Sequence, residues 1–198
     1  MLITTPESIT LEQLAAFIAL DAEATKVNRL YLHWTAGRYT QVFDDYHINI
    51  GQQGEIYLTC KSLAELKAHT WHRNTYAVGI TLDCGLGAMC WQAELDEATG
   101  IQLPPHIIFG PYPPTQAQIE TLAQVIAVIT KEVGLPIDEG HVLTHAEAAQ
   151  LDGYGPGSGD PETRWDLWYL PDLPVTPQLV SGGQVLRGKA LWYLNQLY

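Results

Sequence analysis

The chain has 198 residues, 46% of them hydrophobic and 16% charged, with a formal net charge of −12. That length and balance describe one globular domain with a full core and argue against a disordered chain. The acidic balance argues against nucleic acid and anionic membrane surfaces as partners, since both need clustered Lys and Arg, and no apolar run approaches the roughly 20 residues of a membrane span.

The first residues, Met1 to Glu7, lack a basic region followed by an apolar one, so no signal peptide is expected. Thr10-Leu11-Glu12-Gln13 is a capping box, and Leu11, Leu14, Ala15 and Ile18 follow at helical spacing, which predicts an amphipathic helix over about 10–24. Val27 to Trp34 reads as a strand with His33 at its end, before a Thr-Ala-Gly turn. Tyr46-His47-Ile48-Asn49-Ile50 and Glu55-Ile56-Tyr57-Leu58 read as a hairpin about a Gly-Gln-Gln-Gly turn. Strict alternation would put Tyr46, Ile48 and Ile50 on one face and His47 and Asn49 on the other. A short helix is expected over Lys61 to Ala68.

His69-Thr70-Trp71-His72-Arg73-Asn74 is a dense polar and aromatic cluster, open to reading as a groove wall or as a solvated loop around one buried Trp. It leads into Ala77 to Leu82, a run short enough for a buried strand. Residues 84–113 look like an insertion, with Ile107-Ile108-Phe109 as a short edge strand. Thr115 to Gln118 is a second capping box, and Ile119, Leu122, Ile126, Ile129 and Val133 mark one face of a long helix stopped by Gly134 and Pro136. Val142-Leu143-Thr144 is a short strand ending in His145. Residues 152–161 form a loop aimed by turn residues. Pro171 to Pro177 is a connector, and Gln184 to Tyr198 a closing helix with Leu186, Ala190, Leu194 and Leu197 on one stripe. Three cysteines make no disulfide framework; Cys84 and Cys90 could pair across a Gly-Leu-Gly turn, but read more simply as small buried or half-buried thiols.

The stretch that organises the rest is 140–166. A strand end delivers the His145 imidazole, and a loop through Asp160 to Trp165-Asp166 brings a carboxylate back towards it. With His33 from the far upstream strand end, two imidazoles and one carboxylate could fill three positions of a tetrahedral zinc site and leave the fourth to water. His141 and His47 are better read as structural or supporting groups.

Four segments, in order, resemble the zinc-dependent N-acetylmuramoyl-L-alanine amidases of the type 2 family, which also includes phage lysins and animal peptidoglycan recognition proteins. They are Leu32-His33-Trp34-Thr35-Ala36; Tyr46 to Ile50 with Gly54 to Tyr57; His69 to Asn74 running into Val78-Gly79-Ile80; and Thr144-His145-Ala146-Glu147 with Asp160-Pro161 and Trp165-Asp166. The resemblance covers roughly 28–170 of a single domain spanning 1–198, with the insertion near 84–113 and a helical extension over 178–198 outside it. It implies an α/β fold with a mixed central sheet of about five or six strands, helices on both faces, and a zinc site in a groove at one end of the sheet.

By the same resemblance, His33, His145 and Asp160 are the ligands of one zinc ion. Two departures stand out. Some relatives place a Glu after the Gly-Ile of the central strand, where this chain has Thr81, and many carry a Lys two residues before the last ligand, where it has Ser158. The animal recognition amidases share both departures and have a Tyr matching Tyr46. The resemblance therefore implies Tyr46 and Ser158 as catalytic hydrogen-bond donors; either zinc-bound hydroxide needs no general base, or Glu147 or water serves as one. Trp34, His69, Trp71, Asn74 and Arg164 are expected to line the groove. The implied function is hydrolysis of the amide between N-acetylmuramic acid and L-alanine in peptidoglycan or muropeptides. The alternative is a non-catalytic peptidoglycan-binding module of the same fold. The chain is expected to be a monomer made in the cytoplasm, acting on the wall after release or export, or acting as a recycling enzyme.

Overall fold

The computed structural model describes residues 1–91, 96–100, 106–155, 165–171 and 181–197. Its centre is a mixed six-stranded sheet. In chain order the strands of the molecule are β1 (Leu2–Ile3), β2 (Ser8–Ile9), β3 (Arg29–Trp34), β4 (Val42–Phe43), β5 (Ile48–Ile50), β6 (Ile56–Leu58), β7 (Ala77–Leu82), β8 (Met89–Trp91), β9 (His106–Ile108) and β10 (Val142–Thr144). The sheet runs β10-β3-β7-β5-β6-β2. Its first four strands are parallel, and β6 and β2 are antiparallel additions at the far edge. β1 pairs with β4, and β8 with β9, as separate two-stranded ribbons.

The helices are α1 (Leu11–Leu20), α2 (Gln116–Val133), α3 (His145–Leu151) and α4 (Gly182–Leu194). Thr10 and Thr115 each close a full capping box, with Gln13 and Gln118, as the sequence predicts. Gly134 ends α2 in the left-handed conformation, φ 74°, a position that favours glycine. No helix of the described residues is long and apolar enough to cross a membrane.

Alternation along the inner strands sorts the molecule into two halves. Leu30, Leu32 and Trp34 of β3, Val78, Ile80 and Leu82 of β7, and Ile48 and Ile50 of β5 enter one core with α1, α2 and α4. The odd-numbered partners face the other way: Tyr31 and Ala77 meet Leu143 and Ala148 in a small second cluster under α3. His33, Asn49 and Thr81 lie in line in the register of β3, β5 and β7 and are buried on that second face. One face of the sheet therefore carries the main core, and the other gathers buried polar side chains beside a small apolar cluster.

Three expectations are corrected. Residues 61–68 form turns, not a helix: the Asp21 carboxylate takes hydrogen bonds from Ser62 Oγ at 2.9 Å and from the Leu63 amide at 2.8 Å, giving the backbone a local alternative to helical bonding. The stretch after His145 is a helix, α3, whose capping box Thr144-x-x-Glu147 was visible in the sequence. Tyr46 does not follow the strand alternation, because β5 begins only at Ile48; its ring turns to the polar face, 5.2 Å from the His33 ring. Cys60, Cys84 and Cys90 form no disulfide among the described residues.

Candidate active site

Parallel strands leave their C-terminal ends together, and here that edge delivers two imidazoles. His33 is the last but one residue of β3, and His145 follows β10, which pairs with β3. The third arm comes from the segment 165–171. Asp166 is buried there, and its Oδ2 lies 3.4 Å from both His33 Nδ1 and His145 Nδ1. One donor atom from each of His33, His145 and Asp166 lies within 4.8 Å of the others.

These separations suit a metal better than a proton. A charge-assisted N–H···O bond would draw the atoms to about 2.7–2.9 Å. A tetrahedral zinc with bonds of about 2.0–2.1 Å has donor–donor edges of about 3.3–3.4 Å. Burial lowers the His33 pKa to about 4, so the ring is neutral and keeps a lone pair to offer. For Asp166, burial alone would push the carboxyl up, but the facing imidazoles, His145 foremost, hold it well below the usual carboxylate range. A neutral imidazole beside an ionised carboxylate is the donor chemistry a divalent cation requires, so the residues fit zinc.

Asp166 is held in place from behind. Leu167 is fully buried with φ 60°, a left-handed conformation that costs a leucine of order 1 kcal/mol or more. The N-terminus of α4 locks it: the Gly182 amide donates to the Trp168 carbonyl at 2.7 Å, and a Cβ at Gly182 would stand 2.0 Å from the Leu167 oxygen. Only glycine allows that approach.

A groove of about 300 Å³ opens on the cluster, with Trp34, Thr35, Tyr46, His69, His145 and Asp166 among its lining. Trp34 packs edge-on against Trp165, with ring centroids 4.6 Å apart, and Phe109 lies 6.4 Å from Trp34. Gly85 and Ala88 also line the groove. Burial raises the Tyr46 pKa, so its phenol remains a protonated donor, with the Thr81 hydroxyl beside it.

The other predicted residues are more scattered. Trp71 is exposed, outside the groove lining, and its ring stands 5.7 Å from that of Tyr154. Asn74 turns its side-chain oxygen onto the amides of His69, at 3.2 Å, and Thr70, at 2.8 Å, and so shapes the turn. Ser158, Asp160 and Arg164 lie outside the described residues. Glu147 is spoken for: Arg187 grips both its oxygens, at 2.9 and 3.0 Å, and Ser181 Oγ donates at 3.0 Å. It ties α3 to α4 and is not free to act as a base. His47 accepts from the Gly79 amide and faces the Glu65 carbonyl, which makes it structural, as expected.

Asp166 was not expected as a member of the cluster. The signal was present: it is a lone acid inside Trp165-Asp166-Leu167-Trp168-Tyr169-Leu170, and a carboxylate in an apolar run is rarely buried without a partner.

No curated protein matches the chain. Among solved structures it is similar to the endolysin N-acetylmuramoyl-L-alanine amidase LysCS from Clostridium intestinale URNW, at 14% identity and a TM-score of 0.37, over 61% of this chain and 71% of that one. That likeness is too distant to bear on fold or activity. The sequence model of the Amidase_2 family, described as N-acetylmuramoyl-L-alanine amidase, matches residues 23–162, well over half of the chain. The chain belongs to the type 2 N-acetylmuramoyl-L-alanine amidase family.

Proposed function

We propose that the protein hydrolyses the amide between the lactyl group of N-acetylmuramic acid and L-alanine in peptidoglycan or muropeptides, with one zinc ion held by His33, His145 and Asp166. The observation that carries this reading is the cluster itself: two imidazole nitrogens 3.4 Å from one buried carboxylate oxygen, at a groove, in a chain of this family. The third position passes from Asp160 to Asp166 because Asp166 stands at that distance from both rings. Zinc bound there supplies a Lewis acid and a water that ionises near neutral pH.

The chain's own groups supply the rest. Tyr46, protonated and beside His33, donates a hydrogen bond to the carbonyl oxygen as it gains charge. Trp34 offers an aromatic edge in the groove for the substrate. Ser158 keeps its proposed role as a second donor only if Asp160 is the third ligand. With Asp166 in that position, the residue two places earlier is Arg164, which carries the positive charge of the relatives' lysine. Trp71 remains a candidate for contacts beyond the groove.

The test is metal analysis of purified protein alongside mass spectrometry of digested peptidoglycan. About one zinc per chain is expected, with new N-terminal alanine and no new reducing ends. His145→Ala and Asp166→Asn should lose both zinc and activity, while Asp160→Asn keeps both. Full activity in metal-free protein would overturn the mechanism. Zinc lost in Asp160→Asn but kept in Asp166→Asn would return the third position to Asp160.

A further inference from the structure

A backbone carbonyl can only accept hydrogen bonds, and that fixes a chain of protons beneath the site. The Ala77 oxygen lies 3.4 Å from His69 Nε2, so the single proton of a neutral His69 ring belongs on Nε2. His69 Nδ1 is then an acceptor, and its neighbour at 2.9 Å is Thr70 Oγ1, whose hydroxyl donates to it. The Thr70 oxygen has lone pairs left, and 3.2 Å away stands His33 Nε2. His33 therefore carries its proton on Nε2 and presents a bare Nδ1 to Asp166 and His145.

The reverse order would set a ring lone pair against the Ala77 carbonyl and send an N–H from His33 to an Asp166 oxygen 3.4 Å away, long for a charge-assisted bond. His33, Thr70 and His69 are each at least nine-tenths buried, so water does not compete for these bonds. The packing is close on both sides. A Cβ on Gly79 would sit 2.6 Å from the His69 ring, so glycine is required in the middle of β7 for the ring to lie where it does. The His47 ring meets His69 edge-on at 5.7 Å.

The geometry points to Thr70, backed by His69 and the Ala77 carbonyl, as a positioning residue that sets the tautomer of His33 and so pre-forms one arm of the donor cluster. This rests on the proposed metal role of His33. It gives His69 a task other than touching substrate, and it explains why a threonine without access to solvent sits under the groove. Partners of this kind typically contribute 10–100-fold to metal affinity.

Two variants separate the hydroxyl from the shape. Thr70→Val keeps the volume and removes the hydroxyl; Thr70→Ser keeps the hydroxyl. Zinc affinity is measured by competition with a chelator, the protonated ring nitrogen of His33 by long-range proton–nitrogen NMR on metal-free protein at neutral pH, and folding by thermal melts. Wild type and Thr70→Ser should show His33 protonated at Nε2 and bind zinc alike to within a few fold. Thr70→Val should weaken zinc binding by about 10–100-fold and lose the single tautomer. A wild-type His33 protonated at Nδ1, or a Thr70→Val protein with unchanged tautomer and affinity, would overturn the assignment. If Thr70→Val does not fold, the wild-type tautomer alone decides. If wild type binds no zinc, the metal reading fails while the NMR assignment still judges the relay.

Discussion

Asp83 follows β7 fully buried, and neither of its carboxylate oxygens has a hydrogen-bond partner among the described residues. Burial, with the negative charge of Glu55 adding to it, pushes its pKa from 3.8 up to about 8. Below the unfolded value both states hold the proton. Between that value and about 8 the unfolded chain is ionised while the folded chain is not, so the unfolded state binds fewer protons and stability falls as pH rises. The slope reaches about 1.4 kcal/mol per pH unit, or roughly 3 kcal/mol between pH 5 and pH 7.5. Asp83→Asn replaces a neutral buried acid by a neutral buried amide, so the two proteins should match only below the unfolded value, and by pH 5 the variant should already lead by about 1–2 kcal/mol. From pH 5 to pH 7.5 its lead should widen by about 3 kcal/mol, a further gap in Tm of roughly 6–12 °C for a chain of this size. Thermal and urea unfolding of both proteins at the two pH values measures this, with other titrating groups cancelling in the difference. A gap between the two proteins that does not widen from pH 5 to pH 7.5 would refute the reasoning.

Gly79→Ala should destabilise by about 1–3 kcal/mol, because the new methyl meets the His69 ring and the backbone of a central strand cannot yield; urea denaturation checks it. Arg187→Met leaves Glu147 without its guanidinium, so stability should drop by about 3 kcal/mol while zinc content of the folded protein is unchanged, read by unfolding and metal analysis. Tyr46→Phe should lower kcat on a soluble muropeptide by about 10²–10³-fold with zinc retained. Arg164→Ala should cost more kcat than Ser158→Ala if Asp166 is the third donor, and less if Asp160 is.

Legibility in the sequence followed the strength of local patterns. Both long capping boxes, the 48–58 hairpin and the buried strand over Ala77–Leu82 were readable because side-chain period and turn chemistry agree there. His33 and His145 were readable because each ends an apolar strand. The apparent helix at 61–68 was lost to a carboxylate 41 residues upstream in the chain, a contact no local pattern can announce. Asn74 carries the composition of a groove residue but spends its oxygen on backbone amides. The apolar neighbours of Asp166 signal its burial, but its aim depends on a left-handed leucine and on the docking of α4, which leave no mark at the aspartate itself.

That dependence also sets an order of assembly. A nascent chain released through β7 holds five of the six strands of the sheet, β3, β7, β5, β6 and β2, but a single imidazole of the cluster. The second arrives with β10, whose register pairs Val142 with Leu30. The third is in place only once α4 has docked its N-terminus on the turn that carries Asp166. Partly synthesised chains therefore hold most of the sheet and no complete donor cluster, so the cluster closes in one late step rather than growing with the chain.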